Sequence, residues 1–142
     1  MRFRLYSDGG SRGNPGDSAY AYIICDEKGK EIGSSSNFLG TMTNNEAEYH
    51  GLLAGLKDVV RRGGTEVEVF MDSELAIKQL KGQYRVRALN LMPLYEEAMR
   101  ILESMAMAKV THLHRENETI TKADAMVNWT LDQHALARQL HR

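Results

Sequence analysis

Three stretches of strand character stand in a row before the first helical pattern begins, and that order constrains the fold more than any other feature of the chain. Met1 to Ser7 alternates, with Met1, Phe3 and Leu5 on one face, which is the period of a half-buried strand. Ala19 to Cys25 (AYAYIIC) reads as a second strand. Asp26-Glu27-Lys28-Gly29-Lys30 reads as the tight turn into a polar third strand, Glu31 to Leu39. Between the first two, Asp8 to Gly16 (DGGSRGNPG) reads as a turn-rich break. Consecutive strands of this kind argue an antiparallel meander.

Helical periodicity then takes over. Thr43-Asn44-Asn45-Glu46 fits a capping box, in which the Thr hydroxyl and the Glu carboxylate satisfy exposed N–H groups at a helix start. An apolar stripe follows from Ala47 through Leu52, Leu56 and Val60, and Gly63-Gly64 ends it. Thr65 to Met71 alternates as a strand. Asp72 or Ser73 caps a short helix, Glu74 to Lys81, which Gly82 stops. Leu91 to Met107 reads as a second long helix, Lys109 to His114 as a last strand, and Lys122 to about Leu140 as a last helix. Strands that follow helices join a sheet in parallel through right-handed crossovers. The expected fold class is therefore α/β: a mixed five-stranded sheet, three antiparallel plus two parallel strands, flanked by helices.

The chain has 142 residues, which suits one domain over 1–142. A core of that size needs no disulfide or structural metal. The single cysteine, Cys25, excludes an internal disulfide and a cysteine metal cluster, and the five histidines lack a metalloprotease spacing. No apolar run approaches the roughly 18 residues of a membrane span, and the N-terminus has no signal-peptide core. The expectation is a cytoplasmic monomer with no membrane partner.

Four acids stand where such a fold would gather them. Asp8 ends the first strand, and Asp72 ends the fourth. If those strands are parallel neighbours, both carboxylates reach one sheet edge, where open α/β sheets bind ligands. Glu48 lies near the start of the first helix, and Asp124 is placed in the first turn of the last. Singly, each has an ordinary explanation: Asp72 as an N-cap, Asp124 as a partner of the helix dipole. Gathered together they would repel one another and raise their pKa values, which hard divalent cations with oxygen ligands would relieve. Two such ions can clamp the attacking and leaving oxygens of a phosphodiester. Net charge is −1, yet with those four acids set aside 18 basic residues face 15 acidic ones. Lys78 to Arg87 carries Lys78, Lys81, Arg85 and Arg87 without an acid.

The motifs Asp8-Gly9-Gly10-Ser11-Arg12-Gly13-Asn14-Pro15-Gly16, Thr43-Asn44-Asn45-Glu46-Ala47-Glu48-Tyr49, Asp72-Ser73 and Ala123-Asp124-Ala125-Met126-Val127-Asn128, in that order, resemble type 1 ribonuclease H. The resemblance covers nearly the whole chain. It implies a ribonuclease H-like fold without an appended hybrid-binding domain, and endonucleolytic hydrolysis of the RNA strand of an RNA–DNA hybrid. It implies two magnesium or manganese ions per site with substrate bound, and 5′-phosphate and 3′-hydroxyl ends. By position, Asp8, Glu48, Asp72 and Asp124 match the family's metal-binding carboxylates. Glu46 falls at a variable position, and capping accounts for it. The resemblance favours substrate contact for Asn14, Asn44 and Asn45. Gly9, Gly10, Ser11 and Thr43 complete a set of small polar and backbone groups suited to reading a 2′-hydroxyl in a wide minor groove, though turn and cap chemistry explains them equally. Double-stranded RNA is a second candidate partner.

His114 precedes Asp124 by ten residues and is either a mobile histidine of the kind some family members carry or a strand residue. Arg115 is a candidate phosphate contact or a partner of Glu116. Lys81, Arg85 and Arg87 are either a track for the DNA strand or a solvated helix end. Asn128 reads as packing. The alternatives to a hybrid ribonuclease are a non-catalytic duplex-binding module and another nuclease on the same fold.

Overall fold

The structure, a computed structural model, describes residues 1–141. The elements run β1 (Arg2–Gly13), β2 (Gly16–Cys25), β3 (Glu31–Met42), α1 (Asn44–Arg61), β4 (Glu66–Met71), α2 (Glu74–Leu80), α3 (Met92–Ser104), β5 (Met107–His112) and α4 (Glu118–Leu140). The sheet order is β3-β2-β1-β4-β5. The first three strands pair antiparallel as a meander, and β4 and β5 add in parallel beside β1. This is the mixed five-stranded α/β sheet that the periodicity implies.

Alternation along β1 sorts its side chains between two cores. Phe3 and Leu5 face α1 and join Val67, Val69, Leu52 and Leu56 in the main apolar cluster, which α2 and α3 close. On the other face, α4 lays Ala123, Val127 and Leu131 over Ala19, Ala21 and Ile23. Cys25 is buried in that second layer, so its sulfur is core material.

Four differences from the sequence reading bear on the site. β1 does not break at Ser7 but runs on to Gly13, pairing Asp8 with Ala21 and Gly13 with Gly16, so only Asn14 and Pro15 turn. Glycine-rich sequence reads as turn, but here the missing side chains serve packing. α3 is shorter than Leu91–Met107, because Met105 is already extended and Met107 pairs with Glu66 as the start of β5. β5 accordingly ends at His112, leaving His114 beyond the strand. α4 begins at Glu118, capped by the Asn117 carboxamide, which accepts from the N–H groups of Thr119 and Ile120 at 3.0 and 3.1 Å. Among the described residues no helix is long and apolar enough to cross a membrane.

Candidate active site

The site begins with a close approach. A β-carbon on Gly9 would lie 2.3 Å from the Ala47 carbonyl carbon and 2.4 Å from the Glu48 nitrogen. Only glycine lets the first turns of α1 rest directly on β1. One turn on, a β-carbon at Gly51 would lie 2.8 Å from the Asp8 carbonyl oxygen. This contact between helix and strand brings Glu48 beside Asp8. The Thr43 capping box fixes the axial position of α1: Thr43 Oγ1 accepts from Glu46 N at 3.2 Å, and Glu46 Oε1 accepts from Thr43 N at 3.0 Å.

Asp72 follows the last residue of β4. Because β4 is parallel to β1, both strands deliver their acids to the same sheet edge. Ser73, not Asp72, caps α2, accepting from Ala76 N at 3.2 Å, so the Asp72 carboxylate is not engaged as the helix cap. His112, opposite Met71 in register, sits with Nε2 3.2 Å from the Asp72 carbonyl oxygen and ties down that turn. Asp124 arrives from the opposite layer. With α4 starting at Glu118 it lies in the second helical turn rather than the first, beyond most of the helix-terminal charge. Packing of Ala123, Val127 and Leu131 on the sheet places it instead.

Carboxylate oxygens of Asp8, Glu48 and Asp72 all lie within 4.8 Å of one another. Asp124 is exposed and lines the same cleft, about 200 Å³ in volume, with Arg12, Asn44, Arg115 and Asn128. Asp8 and Glu48 are 4% and 5% exposed, and Asp8 Oδ2 and Glu48 Oε2 are buried with no hydrogen-bond partner. Such an atom costs free energy unless something else satisfies it. Burial first, then the neighbouring Asp72 and Asp124 carboxylates, push Asp8 up to about 8. Burial and the Asp8 and Asp72 charges push Glu48 well above the ordinary carboxylate range. The donor set is all oxygen and carboxylate, and two of its oxygens are buried without a partner. That set fits a hard divalent cation and gives a soft metal no ligand of its own kind.

The smaller groups divide. Asn14 Oδ1 accepts the Asn44 N–H at 3.0 Å, so the β1–β2 hairpin and the start of α1 are fastened together. Ser11 Oγ donates to the Gly13 carbonyl and, at 3.0 Å, to that of Met42. Gly10 is packed against Val127. Asn44 and Asn45 remain exposed at the helix start. His114 stacks edge-on against His112 at 5.5 Å and is not among the residues lining the cleft, whereas Arg115 is. Within the basic stretch, Lys78 pairs with Glu74 at 2.9 Å and lies over the Tyr84 ring. Lys81, Arg85 and Arg87 are exposed and enter no ion pair among the described residues, and buried Val86 anchors the two arginines between which it sits. His112, Arg12 and the contacts of Asn128 escape sequence reasoning. Only the four-residue interval from Asp124 to Asn128 signals the last, since residues so spaced share a helix face.

Residues 6–130 match the family model described as reverse transcriptase-like. A bifunctional protein of Mycobacterium tuberculosis is 35% identical over 133 residues, 93% of this chain and 36% of that protein. The chain thus spans about a third of that relative's length. The structure of the relative's N-terminal ribonuclease H domain, fused to maltose-binding protein, superposes with a TM-score of 0.91 at 34% identity, covering 97% of this chain and 99% of that one. A ribonuclease HI of Halobacterium salinarum is 34% identical over 92% of this chain and 65% of its own length. LC11 ribonuclease H1, crystallised with an RNA/DNA hybrid, gives a TM-score of 0.86 at 35% identity over 94% of this chain and 99% of that one.

Proposed function

The chain belongs to the type 1 ribonuclease H family, and from that premise we propose that it hydrolyses the RNA strand of RNA–DNA hybrids endonucleolytically. The single observation that carries the reading is the gathering of Asp8, Glu48 and Asp72 within 4.8 Å, with orphaned oxygens on two of them. The hybrid held by the LC11 relative supports the substrate class.

Asp8, Glu48 and Asp72 would hold divalent cations, magnesium or manganese, with Asp124 as the fourth ligand group. When bound, a pair of such ions supplies neutralisation of the phosphate and stabilisation of charge on the attacking and leaving oxygens. The protein's own contribution is to fix the acids before substrate arrives. Asp8 and Glu48 are held by strand and helix packing, which lowers the reorganisation that binding requires. Water attacks the phosphorus in line with the departing 3′ oxygen, leaving a 5′-phosphate and a 3′-hydroxyl, with no covalent enzyme intermediate. Asn44 and Asn45, exposed at the end of α1, offer amide groups to the RNA 2′-hydroxyls in the minor groove. Asn14 holds Asn44 in place, Gly9, Gly10 and Ser11 line the cleft with it, and Thr43 caps the helix that presents it. Arg115, which lines the cleft, meets the scissile backbone, and His114 lies outside that lining. Lys81, Arg85 and Arg87 meet DNA-strand phosphates. These contacts carry no base information, so cleavage has little sequence preference.

On this reading residues 1–142 form one catalytic domain that acts as a monomer in the cytoplasm. Incubation with magnesium of end-blocked RNA–DNA hybrid, double-stranded RNA and double-stranded DNA tests the proposal. Internal cuts in the RNA of the hybrid, lost in chelator, are expected, and the double-stranded RNA arm measures whether that substrate is also cut. Binding without turnover would instead make the chain a duplex-binding module, and cutting only at free ends an exonuclease.

A further inference from the structure

Asp124 differs from the other three acids. They are set by the sheet and by α1, whereas Asp124 is exposed on a helix in the opposite layer, free to change rotamer unless something holds it. We propose that Asn128, steadied by Arg12, positions the Asp124 carboxylate and so sets how tightly the cleft holds a divalent cation. The inference rests on the hydrolase reading above and adds residues to its site.

Asn128 lies one turn beyond Asp124. Its Nδ2 donates to the Asp124 carbonyl at 3.1 Å and to Oδ2 of the Asp124 carboxylate at 3.4 Å. The other end of the same amide, Oδ1, faces the Arg12 guanidinium at 3.5 Å, and Arg12 also donates to the Asn128 carbonyl at 3.4 Å. Arg12 is in turn anchored by Asp132 Oδ1 at 2.6 Å. Asp124, Asn128 and Asp132 recur every four residues and therefore share a face of α4. Arg12 reaches that face from the end of β1.

Charge fixes the direction of the amide. With oxygen toward the guanidinium and NH2 toward the carboxylate, both ends are satisfied. The flipped amide would set a donor against Arg12 and an acceptor against Asp124, two repulsive contacts. Arg12 thus fixes which way Asn128 points, and Asn128 aims the carboxylate. These distances are long for hydrogen bonds, and the three side chains are exposed, so the arrangement orients Asp124 rather than adding much stability. Partners that orient metal ligands typically change affinity or activity by about 10–100-fold, and exposure places this one near the lower end.

The test measures Mn2+ binding to the substrate-free protein by the spin-resonance signal of free Mn2+, beside kcat and KM on hybrid and melting in chelator. Asn128→Ala is expected to weaken Mn2+ binding and lower kcat by about tenfold each, with KM and the melting midpoint in chelator unchanged. Asn128→Asp removes the donor, adds a negative charge and loses turnover too. Arg12→Ala causes a smaller loss that is not additive with Asn128→Ala, because the two act as one unit. Arg12→Lys keeps the pair with Asp132 but loses the fork, and rescues only in part. Asp124→Asn is the reference. Wild-type Mn2+ affinity and kcat in Asn128→Ala, alongside loss in Asp124→Asn, would overturn the positioning role alone. Wild-type values in both would overturn the site reading and this role with it.

Discussion

Asp8 on β1 and Glu48 on α1 bring carboxylate oxygens to within 4.8 Å of each other, and each also keeps one buried oxygen with no hydrogen-bond partner. A strand and a helix are held in contact with two carboxyl groups between them whose joint ionisation burial and mutual repulsion oppose. The arrangement is unfavourable until a cation enters, which makes the metal-free protein the place to look for its cost.

The cost has a definite sign with pH. Asp8 is pushed from an ordinary value of 3.8 up to about 8, and Glu48 moves in the same direction. A group raised in the folded state contributes stability that is full below its unfolded value and is lost as pH rises through its folded value. Metal-free protein should therefore lose stability by several kcal/mol as pH rises from roughly 4 to 8. Asp8→Asn should remove the Asp8 share of that loss while abolishing hydrolysis. Melting in chelator at several pH values, wild type minus variant, isolates the effect. Saturating magnesium should flatten the curve, because cations replace the protons. A difference that does not change with pH would contradict the electrostatic account.

Gly9→Ala tests the contact that assembles the site. Its methyl group would meet the backbone of Ala47 and Glu48 at 2.3–2.4 Å, and backbone cannot step aside as a side chain can. We expect destabilisation of about 3 kcal/mol. The folded fraction should lose turnover as well, because α1 lifts Glu48 away from Asp8. Denaturant titration and single-turnover cleavage read the two effects separately.

The far end of α1 predicts the opposite pattern. Asp58, 7% exposed, accepts from the Tyr22 hydroxyl at 2.8 Å and from Arg62 Nε at 3.1 Å, and is also paired with Arg61. Burial alone would raise its pKa, but the hydrogen bonds from Tyr22 and Arg61 outweigh it and hold the carboxyl below the usual range. Asp58→Ala strands these donors and should cost about 3 kcal/mol, and Tyr22→Phe about 1 kcal/mol. Ten residues of helix rise, about 15 Å, separate Asp58 from Glu48. kcat should be unchanged at temperatures where both variants stay folded.

Exposed Arg85 and Arg87 flank buried Val86, which keeps the cations outward. If they meet phosphates, the double variant Arg85→Ala/Arg87→Ala should weaken hybrid binding uniformly across sequences. It should also shallow the salt dependence by about one unit of slope per lost contact. An unchanged slope would make the stretch solvated surface.

Much of this was legible from residue order alone, for reasons that can be named. Strand alternation in Phe3 and Leu5 and the stripe through Leu52 and Leu56 are local patterns that burial enforces, so the meander, α1 and the parallel additions follow from them. The Thr43 box is equally local, and its hydrogen bonds are present. The glycines misled. Gly9 and Gly10 look like a turn, yet they lie within β1 because a neighbouring helix needs the space, and that requirement is tertiary. The start of α4 lies four residues before Lys122, because Asn117 caps a first turn with little apolar content. The motif singles out Asp124, which lines the cleft, but does not signal what holds it. Arg12 and Asn128 are separated by 116 positions, and nothing in either neighbourhood announces the other.

The most direct measurement is an anomalous-difference map from crystals of the protein grown with Mn2+. A peak coordinated by Asp8, Glu48 and Asp72, present in wild type and lost in Asp8→Asn, is the result that these carboxylates require. A cleft without manganese at saturating concentration would contradict the claim that the acids gather to hold a cation.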